Sequence, residues 1–292
     1  MSERALISAA AVGLALSGLA LGACGGTDKS SGGASTSAHP SVLALRIAEA
    51  GKTARFTGPA TTKGGLVEVK LTNAGKMPHG AQLIRYEGGH TSAEALKLVA
   101  GDSQKTPAWL HAEGGIGAAS PGQTATSFEN LPAGRYVVAD VGGPSGGGGA
   151  HADLMVSPGQ DGPLPATEAK VTGARIGKDR YAWRVSGLKV GTNRITFKSE
   201  GMGAIHFVGA VRIKSGNPSL AEIEKSLGSN APPAFADPSS FQNTAVLDGG
   251  KSDVTTLTFK QPGRYVLFCP LSDRDGGKSH WMEGMLTKIT VR

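Results

Sequence analysis

The chain has 292 residues, 44 of them glycine, with 5% aromatic and 18% charged residues and a formal net charge of +7. That length suits one large or two ordinary domains and is enough to bury real cores. Abundant glycine, with no long apolar helical run beyond the N-terminus, leans towards a β-rich protein with many turns.

Arg4 opens the N-terminus, and the nineteen residues 5–23 are almost purely Ala, Leu, Gly, Val, Ile and Ser, ending in Leu21-Gly22-Ala23-Cys24. A short charged region, an apolar core and a small-residue cleavage site mark a targeting segment. The stretch resembles the signal of bacterial lipoproteins, in which small residues precede a cysteine that is acylated and becomes the mature N-terminus. The resemblance implies a signal peptide over 1–23, lipidation of Cys24 and a membrane anchor on the extracytoplasmic face. The other reading is an uncleaved helix, since such a run is just long enough to span a bilayer. Residues 24–39 read as a Gly/Ser linker that lets the folded part swing away from the membrane. The positive charge reads as a solvated basic surface, or as attraction to anionic lipid, cell-wall polymer or an acidic redox partner. Nucleic acid is not an expected partner for a secreted, anchored chain with few aromatics.

Beyond the linker one pattern occurs twice. In "GLVEVKLTNAGKMPHGAQLIRY", Val67, Val69 and Leu71 alternate with Glu68 and Lys70, the mark of a half-buried strand. In "GTNRITFKSEGMGAIHFVGAVRI", Ile195 and Phe197 alternate with polar residues in the same way. Each strand enters a glycine-containing turn and leaves through a histidine, His79 or His206. A short helix is predicted next in both copies. Thr91 with Glu94, and Ser219 with Glu222, form capping boxes, and Gly101 and Gly228 are stop signals. Leu220, Ile223 and Leu227 give the second helix an apolar face. Each copy closes alike, "LPAGRYVVAD" matching "KQPGRYVLFC". At the resulting offset of 129 residues, Asp140 falls on Cys269, His151 on His280 and Val156 on Met285. The halves are therefore read as tandem domains over 40–157 and 168–292, with 158–167 as linker. Several strands and one helix in each predict β-sandwiches.

The stretch "CPLSDRDGGKSHWMEGM", residues 269–285, carries the chemistry. Thiolate, imidazole and thioether together are the soft set that selects copper. The chain has two cysteines, and lipidation of Cys24 leaves Cys269 without a disulfide partner. A lone thiol outside the cytoplasm calls for burial or metal ligation as its reason. Cys269 ends one strand, His280 precedes the next and His206 leaves a turn at a strand end, so the three can meet at one end of a sandwich.

"TNAGKMPHGAQL" and "GRYVLFC" followed by a histidine and "GM" resemble the two ends of a cupredoxin domain, the blue-copper β-sandwich family. The resemblance covers both repeats. It implies an all-β fold of two tandem cupredoxin-like Greek-key β-sandwiches, each with one short helix. It implies copper as cofactor, held by His206, Cys269, His280 and Met285, and electron transfer or copper handling with a redox partner protein. "HWMEGM" has the family's His-to-Met spacing of five, whereas ten residues separate Cys269 from His280, a longer loop than is usual there. Met282 is a second candidate for the axial position.

The first copy offers His79, Asp140 and His151, a trio without a thiolate. It reads as a degenerate repeat, or as a second site for zinc or copper(II). His90 and His111 read as surface residues, and Asp273 and Asp275 as solvated charges in a Gly-rich loop. There is no GxSxG, HExxH or CxxC, and seven histidines do not make a trinuclear copper cluster. A non-enzyme is the expectation: a copper protein, or a metal-free cupredoxin-like binding module at the cell surface.

Overall fold

The computed structural model describes residues 39–51, 53–101, 105–141, 149–229 and 233–292. The targeting segment, Cys24 and nearly all of the Gly/Ser linker lie outside the described residues. No helix among the described residues is long and apolar enough to cross a membrane.

The first half carries β1 (Ser41–Ala50), β2 (Thr53–Thr57), β3 (Thr61–Lys63), β4 (Gly65–Asn73), β5 (His79–Tyr86), helix α1 (Ser92–Ala100), β6 (Leu110–Ala119), β7 (Thr124–Leu131), β8 (Gly134–Ala139) and β9 (His151–Ser157). The second half carries β10 (Ala169–Gly177), β11 (Arg180–Ser186), β12 (Gly191–Ser199), β13 (Ile205–His206), β14 (Gly209–Ile213), helix α2 (Leu220–Leu227) and β15 (Ala236–Asn243). It continues with β16 (Leu247–Asp248), β17 (Ser252–Phe259), β18 (Gly263–Phe268), a 3-10 turn at His280–Glu283 and β19 (Leu286–Val291).

The halves repeat one topology. Each starts with a parallel pair, β1 with β4 and β10 with β12, and each then adds an antiparallel strand, β7 on β4 and β17 on β12. The alternation seen in the sequence sets the faces. Val67, Val69 and Leu71 are fully buried in one core, and Ile195 and Phe197 in the other. Both capping boxes form, at Thr91–Glu94 and Ser219–Glu222. On α2, Ile223 and Leu227 pack inward, whereas Leu220 stays exposed.

The recurring Gly-Arg-Tyr has a structural reason. Tyr136 donates its hydroxyl to the Pro132 carbonyl at 2.7 Å, and Tyr265 to that of Gln261 at 2.8 Å. Each buried ring thus pins the corner that starts its strand, as in other sandwich folds.

The halves are stitched together in two places. An eight-stranded sheet, β11-β10-β12-β17-β7-β4-β1-β2, runs through both, joined where Val254 of β17 pairs with Phe128 of β7. A seven-stranded sheet, β13-β16-β6-β5-β8-β9-β3, joins them again where Leu247 of β16 pairs with Glu113 of β6. The remaining sheet, β15-β14-β18-β19, belongs to the second half alone.

Candidate metal centre

His206 ends the two-residue strand β13, after a turn through Gly201 and Gly203, both at positive φ. Cys269 follows the last residue of β18, and His280 opens the 3-10 turn. Gly284 closes that turn at φ 112°, and a Cβ there would lie 2.2 Å from the Tyr181 carbonyl oxygen. Only glycine fits, which explains the glycine of "HWMEGM". The turn brings the Met285 N–H to the His280 carbonyl at 2.7 Å, and the Cys269 N–H bonds the Met285 carbonyl at 3.2 Å. The backbone itself therefore lays three of the expected ligands side by side.

His206 Nδ1 lies 3.0 Å from His280 Nδ1, and the Cys269 sulfur 3.6 Å from the same His280 nitrogen. Among the described residues, this is the one group of three His, Cys, Asp or Glu side chains whose ligand atoms all lie within 4.8 Å of one another. With bonds of roughly 2.0 Å to each nitrogen, a 3.0 Å separation corresponds to an N–metal–N angle of about 100°. The thiol lies close to the roughly 3.5 Å from an imidazole nitrogen that such bonding implies.

His206, Cys269, His280 and Met285 are all fully buried. Met285 packs with Cys269, Tyr181 and Ala204. Gly173 of β10 makes the room: a Cβ there would lie 2.8 Å from the Met285 methyl and 2.9 Å from His206 Cδ2. Met282, the other axial candidate, points outward and is 48% exposed.

Burial, with the neighbouring His280, pushes His206 down to about 3. Burial also lowers His280, an effect partly offset by Asp273. Burial pushes the Cys269 thiol up to about 12. Burial thus favours the neutral imidazoles and the thiol, and a metal held here would have to displace the thiol proton.

The sequence reading is corrected at Asp273. It is not a solvated loop charge. Its Oδ1 lies 3.1 Å from His280 Nε2 and accepts the Tyr181 hydroxyl at 2.6 Å. The long loop folds back across its own histidine, a closure with no signature in the spacing. Asp275 is exposed, as expected.

The first half is corrected as well. His79 and Asp140 do meet, Nδ1 to Oδ2 at 2.7 Å, but His151 stays away. It is exposed at the start of β9, with its Nδ1 3.0 Å from the Gly149 carbonyl. Strand alternation turns it to the outer face. Instead Glu49, at the end of β1, reaches His79 Nε2 at 3.1 Å. Despite some burial, the Met77 and Lys76 N–H groups and His79 hold the Glu49 carboxyl down at about 2. Nothing local marks Glu49: it belongs to the eight-stranded sheet and reaches His79 of the other sheet by capping the turn at Lys76 and Met77. His111 is not a simple surface residue either. It sits half-buried, 3.4 Å from both Glu87 and Asp248. His90 is partly exposed and stacks on Trp109 at 3.8 Å.

No protein-family model matches this chain, and no curated protein does. Solved structures do. It is similar to auracyanin B at 24% identity over 44% of this chain and 91% of that one, with a TM-score of 0.29. It is similar to a multicopper oxidase at 14% identity over 86% and 88% of the two chains, with a TM-score of 0.24. It is similar to a copper nitrite reductase from Nitrosomonas europaea at 11% identity over 86% and 94%, also with a TM-score of 0.24.

Each half is a β-sandwich in which the same strand pairings recur, the all-β tandem arrangement that the cupredoxin resemblance implied. His206, Cys269 and His280 meet at one end of the second half, with Met285 packed on Cys269.

The expectation of a non-enzyme is overturned by these similarities, since the oxidase and the nitrite reductase are enzymes by name. The absence of GxSxG, HExxH and CxxC bears on hydrolytic and dithiol chemistry, and the small number of histidines bears on a trinuclear cluster; neither bears on redox chemistry at a single metal.

Proposed function

We propose that the second half holds one copper ion in a blue-copper type centre, for electron transfer or copper handling. The observation that carries this is the buried meeting of two Nδ1 atoms 3.0 Å apart with a thiol sulfur 3.6 Å from one of them. Thiolate, two imidazoles and a thioether are a donor set that favours copper over the harder divalent ions. The residues fit the ion: both imidazoles are neutral, and Gly173 leaves Met285 its place.

When bound, copper supplies a one-electron couple. The chain does the rest. Cys269 would give up its proton and serve as a thiolate ligand. His206 and His280 would present Nδ1, and Asp273 holds Nε2 of His280, fixing the ring's orientation. Tyr181, Ala204 and Met285 pack around the sulfur and keep bulk water out.

We further propose that the protein is anchored by lipid on Cys24 outside the cytoplasmic membrane and exchanges electrons or copper with a partner protein there. The support is the Leu21-Gly22-Ala23-Cys24 segment and the Gly/Ser linker after it.

Copper(II) titration of the purified mature chain tests the first proposal. One equivalent should produce an intense visible band and raise the melting temperature. Neither colour nor a melting shift would reject it and leave a metal-free module. Membrane fractionation tests the second: Cys24→Ser should release the protein or leave it unprocessed, and an unmodified N-terminus by mass spectrometry would reject the anchor.

A further inference from the structure

The sulfur ligands and the imidazoles are supported differently. Cys269 and Met285 flank β18 and β19, whose sheet belongs to the second half alone. The two histidines lie on segments that the first half holds as well.

His206 comes first. Its strand β13 pairs with β16, His206 opposite Leu247 and Ile205 opposite Asp248. Strand β16 in turn pairs with β6 of the first half through Leu247 and Glu113. The residue before β16, Val246, is held at both backbone groups by one buried side chain. Gln82 Nε2 donates to its carbonyl at 3.0 Å, and its N–H donates to Gln82 Oε1 at 2.7 Å. The Gly114 N–H adds a bond to the same carbonyl at 3.1 Å.

His280 is tied through its loop. Arg274, beside Asp273, bonds the Pro107 carbonyl at 2.7 Å and the Leu110 carbonyl, both in the first half. Its other amine bonds Asp248 at 2.7 Å, and its backbone carbonyl accepts the Thr106 N–H at 2.7 Å. The Arg274 N–H donates to Gly203, three residues before His206, at 2.8 Å. One arginine thus links the His280 loop, the His206 turn, β16 and the first half. Between these ties lies a mostly apolar cleft of about 280 Å³, lined in part by Ile205, Leu110, His111 and Leu271. Beside this cleft, the hydrogen bonds of Arg274 and Gln82 bridge the two halves.

We infer that the first half is a positioning domain for the metal centre, helping to set the two imidazoles through Arg274 and Gln82 while the second half alone sets the sulfur ligands. The inference rests on the copper reading for its metal readout only. It gives the ten residues between Cys269 and His280 a role, since a short loop would reach neither His280 Nε2 nor the first half. It also gives the first half a role that does not require it to bind metal.

The test compares the full mature chain with Arg274→Ala, Arg274→Lys and Gln82→Ala, taking Arg264→Ala as control because Arg264 bonds only within the second half, to Asn217 and Gly216. Amide hydrogen exchange on the metal-free proteins should speed up over 271–280 in the Arg274 variants and over 205–206 and 246–248 in Gln82→Ala. Copper(II) titration should show affinity weakened about tenfold with an altered visible band, the size of effect typical for residues that orient ligands. Arg274→Lys keeps the charge towards Asp248 but not the fork between two carbonyls, so it should fall between wild type and alanine. Exchange and copper titration both matching wild type and the control would overturn the inference. If wild type itself takes no copper, the copper reading fails and the exchange result still decides the positioning role. Should Arg274→Ala not fold, the lysine and Gln82 variants decide it.

Discussion

Glu129 and Asp253 stand opposite each other where the two halves meet. Phe128 pairs with Val254, so in this antiparallel pair the next residues face each other on the inner side. Glu129 is 2% exposed and Asp253 is fully buried, and no cation is paired with either carboxylate among the described residues. Burial pushes both well above the usual carboxylate range, and for Glu129 the Asp253 charge adds to it. The folded state therefore keeps protons that the unfolded chain releases. Stability contributed this way is full below the ordinary carboxylate values and is lost as pH rises towards the raised ones. Glu129→Gln, and likewise Asp253→Asn, should stabilise the protein by about 1–2 kcal/mol at pH 8. The gain should vanish near pH 4. Urea unfolding at the two pH values checks this, and an equal effect at both would refute it.

Gly173 is in close contact with two expected ligands. Adding one methyl there meets the Met285 methyl at 2.8 Å and the His206 ring at 2.9 Å. Gly173→Ala should cost about 1–3 kcal/mol through overpacking. It should also shift the visible band of the copper-loaded protein, because the displaced side chains are the proposed ligands. Thermal melting and absorption spectra of the variant measure both.

Asp140 occupies in the first half the position of Cys269 in the second. Its carboxylate contacts His79 and accepts the Gly80 N–H at 2.9 Å. Asp140→Ala strips buried partners and should destabilise by about 1–3 kcal/mol. The copper band should be untouched, since no thiolate stands in the first half. Loss of the band in a folded Asp140→Ala protein would refute this assignment.

Cys269→Ser should abolish the intense band while leaving the fold, because serine keeps the small buried shape but not the soft thiolate. Circular dichroism and copper absorption, taken together, separate loss of the site from loss of the fold.

The β-sandwich pattern could be read along the chain. Strand faces such as Val67, Val69 and Leu71 repeat every second residue, and a capping box needs only four consecutive positions, so local order is enough to reveal both. The internal repeat did more, since the offset of 129 residues places Asp140 on Cys269 and so denies the first half a thiolate. The convergence of His206, Cys269 and His280 was legible for the same reason: each sits at a strand end, and strand ends of one sandwich share a rim. What depended on three dimensions is every partner brought in from a distance. Glu49 on His79, Asp273 on His280, Arg274 on Pro107 and Leu110, and Glu129 on Asp253 are each set by sheet register, a folded loop or the docking of two halves. No residue near any of them in the chain marks its partner, because hydrogen bonds and burial depend on separation in space, and the fold alone determines that separation.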